Sequence, residues 1–225
     1  MSKTKKVLLI LAIPVALLLT AVGFFAWSWL EYGDHPIIAH KPITIILPFA
    51  PEDDAGSLIP MGETIAHPIP HGHPGIDFGW DHSVPIIAAA DGVITKIQRA
   101  EDMGEPVWYI TQKSGTYKIT YKELDEYETG LAEGSKVKRG DRIGKPHGAQ
   151  TNGGPLHFQI HWEFAYNSLL SGLAHNGMDR LCPLTYFDSD SLTRITRIWD
   201  SVPATDQFKA QFPDICSGDF HNHNQ

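Results

Sequence analysis

Hydrophobic residues are distributed differently in the first thirty residues and in the rest of the chain. Residues 7–30 contain no charged side chain, follow three lysines within residues 3–6 and precede Glu31. A membrane-spanning helix needs roughly 20 apolar residues, whereas the apolar region of a cleavable signal has about 7–15. The pattern therefore predicts a transmembrane anchor at 7–30, and a long signal peptide that is cleaved is the alternative.

The flanking charges predict how this anchor would be oriented. Lysines before the segment and acidic residues after it favour a cytoplasmic N-terminus. The chain is then a single-pass protein of the inner, or cytoplasmic, membrane. Residues 31–225 are expected to lie in the periplasm or outside the cell.

Beyond residue 70 the chain alternates short runs of β-forming residues with turn residues. This pattern predicts a mainly β protein with antiparallel strands. A hairpin turn is expected at 113–116, and Val137 and Ile143 are expected to point into the core. The predicted strands are Val84–Ala90, Gly92–Gln98, Val107–Gln112, Tyr117–Tyr121, Arg142–Gly144 and Leu156–Trp162.

Helical spacing marks a segment near the C-terminus. Leu192, Ile195 and Trp199 fall on one face of a helix over 190–202, with Asp190 or Ser191 as its N-cap. The predicted organisation is a cytoplasmic tail at 1–6, the anchor or signal at 7–30, a linker with a leading strand Ile43–Phe49 at 31–64, a β domain at 65–187, and a helical extension and tail at 188–225.

Charge and cysteine content narrow the functional classes. Residues 31–225 keep 15 of the 18 cationic side chains and all 26 acidic ones, a formal charge of −11. Without a basic patch to neutralise phosphates, nucleic-acid binding is disfavoured. Cys182 and Cys216 are expected to form a disulfide in an oxidising compartment, and two separate buried thiols are the alternative.

His73, Asp77 and His157 are the candidate metal ligands. Two imidazoles and one carboxylate form the ligand set of a catalytic zinc, whereas calcium or magnesium would require more oxygen ligands. Strand alternation from Leu156 to Trp162 places His157, Gln159 and His161 on one face. The spacing alone is weak, because His175 and Asp179 repeat it elsewhere.

Four ordered blocks of this sequence resemble the lysostaphin-like (LytM-type) zinc endopeptidases over roughly residues 65–187. The blocks are Gly72–Phe78, Val84–Ile94, Val137–Gly144 and Gly153–Gln159. The resemblance implies an antiparallel β-sheet groove of the LytM/lysostaphin-like (duplicated hybrid motif) type. It also implies one Zn²⁺ held by His73, Asp77 and His157, and cleavage of peptidoglycan peptides outside the membrane.

The chain departs from this family at two positions. The family has a histidine two residues before its last ligand, where this chain has Pro155. It also has a Tyr-x-His-Leu block, which here reads Tyr121-Lys122-Glu123-Leu124. Those family histidines activate the water and stabilise the oxyanion, so Glu123 is predicted as the replacement base.

The remaining histidines are expected to play smaller parts. His161 lies about 13 Å along the strand from His157, which predicts a position at the rim of the cleft. His147 and His82, together with His67 and His71, are expected to be solvated loop residues. The tail histidines His221 and His223 are expected to be part of a disordered end.

Two functions follow from the resemblance and its departures. The first is a membrane-anchored zinc metalloendopeptidase that acts on peptidoglycan peptides. The second is a zinc-binding but catalytically silent module that binds cell-wall peptides or regulates a partner cell-wall hydrolase. A biotinyl or lipoyl carrier-like barrel is disfavoured, because Lys145 is followed by Pro146 and lacks the setting of a carrier lysine.

Overall fold

The structure, a computed structural model, describes residues 17–23, 42–62, 73–102, 104–150, 156–166, 180–203, 205–211 and 214–216. Contacts divide the chain into two compact units, 1–40 and 41–225. In the first unit, residues 17–23 are helical. Among the described residues, no helix is both long enough and apolar enough to cross a membrane. The rest of the predicted anchor, 7–16 and 24–30, lies outside the described residues.

Antiparallel strands dominate the second unit, which confirms the mainly β prediction. In the described part of the chain, one nine-stranded sheet has the order β1-β2-β9-β8-β6-β5-β4-β7, with β3 paired to β8 and β9 also paired to β6. The strands are β1 Ser57–Ile59, β2 Ile76–Trp80, β3 Ile86–Ile87, β4 Gly92–Asp102, β5 Glu105–Ser114, β6 Tyr117–Tyr127, β7 Lys136–Val137, β8 Arg142–Gln150 and β9 Leu156–Tyr166.

The long hairpins extend further than the hydrophobic pattern predicts. β4 and β5 stay paired out to Asp102 and Glu105, where the side chains are mostly exposed. Backbone hydrogen bonds alone continue the ladder there, so hydrophobicity gives no signal for it. The predicted turn between β5 and β6 is present, and Gly115 has the positive φ of 62° that such a turn favours.

One face of the sheet carries the hydrophobic core, and this determines where polar side chains can gather. Phe78 and Trp80 of β2 face the core, where the ring of Phe49 packs against theirs at centroid distances of 5.0 and 5.2 Å. Trp162 of β9 is buried on the same side and stacks on Phe187. Residues that alternate with these in β2 and β9 therefore lie on the opposite face.

The predicted leading strand Ile43–Phe49 is not a strand in the structure. Ile45 and Phe49 make only isolated bridges, to Phe187 and Ile86. Pro48 has no backbone N–H to donate, and the N–H of Leu47 is bonded to the Ser191 hydroxyl at 3.2 Å instead of to a neighbouring strand. The segment nevertheless covers the core with buried apolar side chains.

The predicted C-terminal helix is present as Ser189–Ser201, but two of its details differ. Asp188 is the N-cap, and its carboxylate accepts a hydrogen bond from the N–H of Ser191 at 2.9 Å. Ile198 is buried, whereas Leu192 is 41% exposed, because the helix is rotated slightly from the predicted face. Short helices also occur at Pro51–Asp53, Pro183–Thr185 and Gln207–Gln211.

Cys182 and Cys216 form the expected disulfide. We predict that the double substitution Cys182→Ala, Cys216→Ala lowers the free energy of unfolding by about 3–4 kcal/mol, because the bond closes a 34-residue separation in the unfolded chain. Urea denaturation of the oxidised protein and of the double variant measures the difference. A loss below about 1 kcal/mol would show that the bond does not constrain the unfolded state in this way.

Candidate metal centre

His73, Asp77 and His161 come together on the polar face of the sheet, between β2 and β9. Asp77 lies directly opposite His161 in the antiparallel register. Oδ1 of Asp77 is 2.6 Å from Nδ1 of His161 and 3.0 Å from Nε2 of His73, and the two imidazole nitrogens are 3.0 Å apart. The three potential ligand atoms all lie within 4.8 Å of one another.

The chain around His73 is arranged so that its imidazole faces this centre. The backbone of His73 forms an isolated antiparallel β-bridge with Gly62. The ring Nδ1 of His73 is 2.8 Å from the carbonyl oxygen of Pro60. The Nδ1–H donates to that carbonyl, which leaves the Nε2 lone pair directed at Asp77 and His161. A Cβ on Gly75 would collide with the carbonyl oxygen of Trp162, so glycine permits this close approach to β9.

The structure corrects the prediction that His157 is the third ligand. His157 is exposed and pairs with Ala149 of β8. It is four residues from His161 on the same face of β9, which corresponds to about 13 Å. Alternation alone allows either histidine, but the register with β2 selects His161. His161 is therefore in the centre itself and not at the rim of the cleft.

A buried acidic residue holds the ring of His161 in place. Nε2 of His161 is 3.2 Å from Oε1 of Glu163, so an Nε2–H donates to the carboxylate and Nδ1 faces Asp77. Glu163 is also paired with Lys122 and, at 3.0 Å, with Nη2 of Arg180. Burial alone would raise the pKa of Glu163, but the hydrogen bond with His161 and these two cations bring it well below its usual range.

The electrostatics of the three converging side chains favour a cation. Burial would raise the pKa of Asp77, but its hydrogen bonds with His161 and His73 hold it well below its usual range. Burial would lower the pKa of His161, but its bonds to Asp77 and Glu163 raise it to about 9. The two imidazole nitrogens and the carboxylate oxygen that converge here are donor atoms of the kind that bind Zn²⁺.

Glu123 lies beside this centre in an unusual backbone conformation. Its φ is 61°, in the left-handed region that non-glycine residues rarely adopt. A bulge there places two β6 residues opposite one of β5, between the pairs Ile110–Tyr121 and Trp108–Leu124. At the same point β6 passes from pairing with β9 to pairing with β8.

The bulge brings the Glu123 carboxylate next to Gln159. Nε2 of Gln159 donates to Oε2 of Glu123 at 3.1 Å. Burial is the largest cause that raises the pKa of Glu123, and the negative charge of Asp77 adds to it. Together they raise this pKa to about 7. A carboxyl group with such a pKa can exchange protons near neutral pH.

The raised pKa of Glu123 predicts a gain in stability when its charge is removed. The folded-state pKa of about 7 exceeds the ordinary 4.5, so ionisation destabilises the fold progressively as pH rises from 4.5 to 7. Glu123→Gln should therefore stabilise the metal-free protein by up to about 3 kcal/mol at pH 8 and by almost nothing at pH 4. Urea unfolding in chelator at both pH values measures this; an equal effect at both would contradict it.

Gln159 is two residues before His161, just as Pro155 is two residues before His157. Pro155 lies outside the described residues. The resemblance would then imply family histidines at Glu123 and at Gln159. One sequence signal could have indicated His161, namely Glu163, an acid on the same strand face that can orient an imidazole.

Outside this centre, His147 is buried and His82 is exposed. His147 is buried in β8, which corrects the prediction of a solvated loop residue. His82 is exposed, as predicted, and pairs with Asp81 at 2.6 Å. The predictions for His67, His71, His175, His221 and His223 lie outside the described residues.

Comparison with known proteins relates the centre to a family of peptidases. Residues 71–168 match the model of Peptidase family M23. An uncharacterized metalloprotease of Haemophilus influenzae is 32% identical over 91 residues, which cover 40% of this chain and 18% of that protein. The chain therefore spans about a fifth of the length of that relative.

Two solved structures are similar at lower identity. The catalytic domain of the antimicrobial peptidase lysostaphin from Staphylococcus simulans is 19% identical, with 58% of this chain and 90% of that chain covered and a TM-score of 0.42. A zinc containing peptidase from Vibrio cholerae is 20% identical, with 57% and 38% covered and a TM-score of 0.42.

Proposed function

Because residues 71–168 match the model of Peptidase family M23, we propose that the chain is a zinc metalloendopeptidase that cleaves peptide links of peptidoglycan. The observation that carries this proposal is the convergence of His73, Asp77 and His161 on one point. Residues 7–30 would anchor the enzyme in the cytoplasmic membrane, with the β domain outside.

The ligands of the proposed Zn²⁺ are Nε2 of His73, Oδ1 of Asp77 and Nδ1 of His161. When bound there, the ion would supply a Lewis acid beside the scissile peptide bond. Glu163 fixes the tautomer of His161, and the carbonyl of Pro60 fixes that of His73. Both rings are therefore preorganised, which lowers the cost of forming the site.

Glu123 is the proposed general base. With a pKa of about 7, its carboxylate is a stronger proton acceptor than an ordinary glutamate and remains partly ionised at neutral pH. It would take a proton from the water that attacks the peptide carbonyl carbon. The amide of Gln159 holds the carboxylate in place through its 3.1 Å hydrogen bond.

A polar groove next to the centre offers room for an extended peptide. The groove has a volume of about 430 Å³, and Lys122, Glu163 and Arg180 form its end nearest to His161. Tyr109 and Thr111 of β5 line it further along the sheet. Peptides bound in such a groove would lie across β5, β6 and β9, with hydroxyl groups available to bind their backbone.

Digestion of purified peptidoglycan by the full chain tests the proposal. The zinc-loaded protein should release new free amines, treatment with 1,10-phenanthroline should stop the release, and added Zn²⁺ should restore it. His73→Ala serves as the inactive control. If the protein binds zinc but releases no amine from peptidoglycan or from Gly-rich and D-amino-acid peptides, the peptidase proposal fails.

The second candidate function is a zinc-binding module without catalysis that binds cell-wall peptides or regulates a partner hydrolase. The replacement of both family histidine positions, by Glu123 and Gln159, favours it. Loss of a general base and of an oxyanion donor would each cost about 10²–10³ or more in rate if nothing compensated for them. The digestion experiment separates the two functions, because this module would bind zinc and peptides without cleaving them.

A further inference from the structure

His147 shares the face of the sheet that carries the metal centre. It lies on β8 directly opposite Gln159 of β9. Side chains at directly opposed positions of an antiparallel pair project to the same side, with Cβ atoms about 4.5–5.5 Å apart. The adjacent Gly148 shows the alternation, because a Cβ there would lie 2.8 Å from the ring of Phe158, which packs against the core.

Asp125 orients the imidazole of His147. Oδ1 of Asp125 is 2.5 Å from Nδ1 of His147, and Oδ2 accepts a hydrogen bond from the N–H of Gly148 at 3.3 Å. The ring Nδ1–H therefore donates to a carboxylate that is itself held in place. Among the described residues, Nε2 of His147 has no hydrogen-bond partner.

The location of this pair distinguishes it from an ordinary surface pair. The side chain of His147 is only 8% exposed, whereas that of His82, in a similar pair with Asp81, is 63% exposed. Asp125 lies two residues after Glu123 in β6, where the pairing with β8 is irregular. The pair thus lies at the junction of β6, β8 and β9, next to the hydrogen bond between Glu123 and Gln159.

We propose that His147 is a further catalytic residue of this site, whose Nε2–H donates a hydrogen bond to the carbonyl oxygen of the scissile peptide as negative charge develops there. Asp125 is the positioning residue, because its carboxylate accepts the Nδ1–H and so fixes the direction of Nε2. No proton leaves His147 in this step. The proposal rests on the proposed peptidase function, and it supplies the imidazole donor that Glu123 and Gln159 cannot provide.

Kinetics of the zinc-loaded full chain test the proposal. His147→Ala should lower kcat by about 10²–10³ while KM changes less than about threefold, because the hydrogen bond forms mainly in the transition state. Asp125→Asn should lower kcat by about 10-fold and shift the pH profile of kcat/KM. The matched control is His82→Ala, which should change neither. Circular dichroism and zinc content, with His147→Gln as a variant of similar size, establish that the fold and the metal site are intact.

A binding measurement separates this proposal from the proposed function. A phosphinic analogue of an Ala–Gly dipeptide carries an anionic oxygen on tetrahedral phosphorus, and calorimetry should show at least 10-fold weaker binding to His147→Ala than to the wild type. If the wild type cleaves peptides and His147→Ala keeps kcat within threefold, the role of His147 is overturned while the peptidase function stands. If the wild type cleaves nothing, the peptidase function fails. In that case the role of His147 is also overturned if the wild type and His147→Ala bind the analogue with equal affinity, or if neither protein binds it.

Discussion

Replacing His161 with alanine is expected to abolish both zinc binding and peptidase activity, whereas replacing His157 with alanine should leave both unchanged. His161 contributes one of three atoms that converge within 4.8 Å, and His157 is exposed about 13 Å away along the same strand. Loss of a supporting residue outside the coordination shell typically costs 10–100-fold in metal affinity, so loss of a ligand should cost more than about 100-fold. Zinc content after dialysis and kcat/KM on peptidoglycan peptides measure the two effects.

The His157→Ala variant is the matched control for this experiment, because it removes the same side chain from the same face of β9. If His157→Ala loses zinc and His161→Ala retains it, the register between β2 and β9 is wrong. The assignments of Gln159 and His147 would then also fail, because each depends on that register.

Glu123→Gln should lower kcat by about 10²–10⁴ with zinc content unchanged, because the amide cannot accept the proton of the attacking water. KM should change little, since the substitution preserves the shape of the side chain and removes a group used mainly in the transition state. Single-turnover cleavage of a peptidoglycan peptide measures this effect. The same variant is predicted to be more stable at pH 8 in the metal-free form, so unfolding is not expected to contribute to its loss of activity.

Glu126→Gln is the matched control for Glu123→Gln. Glu126 belongs to the same strand, but its side chain is 59% exposed and pairs with Lys145. It should retain wild-type kcat. A Glu123→Gln enzyme within threefold of the wild-type kcat would exclude Glu123 as the base.

Local sequence predicts two of the three side chains that converge in the structure. His73 and Asp77 were predicted together because Pro74 and Gly75 between them direct the chain through a turn into β2. The third ligand could not be chosen in this way. His157 and His161 have the same parity in β9, and only hydrogen-bonding register with a strand about eighty residues distant distinguishes them.

The environment of the proposed catalytic groups could not be predicted from the sequence. Glu123 is predicted from its place in the block Tyr121–Leu124, but the bulge and the burial that raise its pKa depend on three strands meeting. From the sequence, His147 is expected to be a solvated loop residue. In the structure it lies within β8, where the neighbouring Gly148 provides space for the ring of Phe158.

The proposed function requires that the chain hold a catalytic zinc between β2 and β9. X-ray anomalous scattering at the zinc absorption edge, from crystals of the zinc-loaded protein, tests it most directly. One strong peak is expected about 2.0–2.2 Å from Nε2 of His73, Oδ1 of Asp77 and Nδ1 of His161. A peak at His157 instead, or zinc-loaded crystals with no peak at these three side chains, would contradict it.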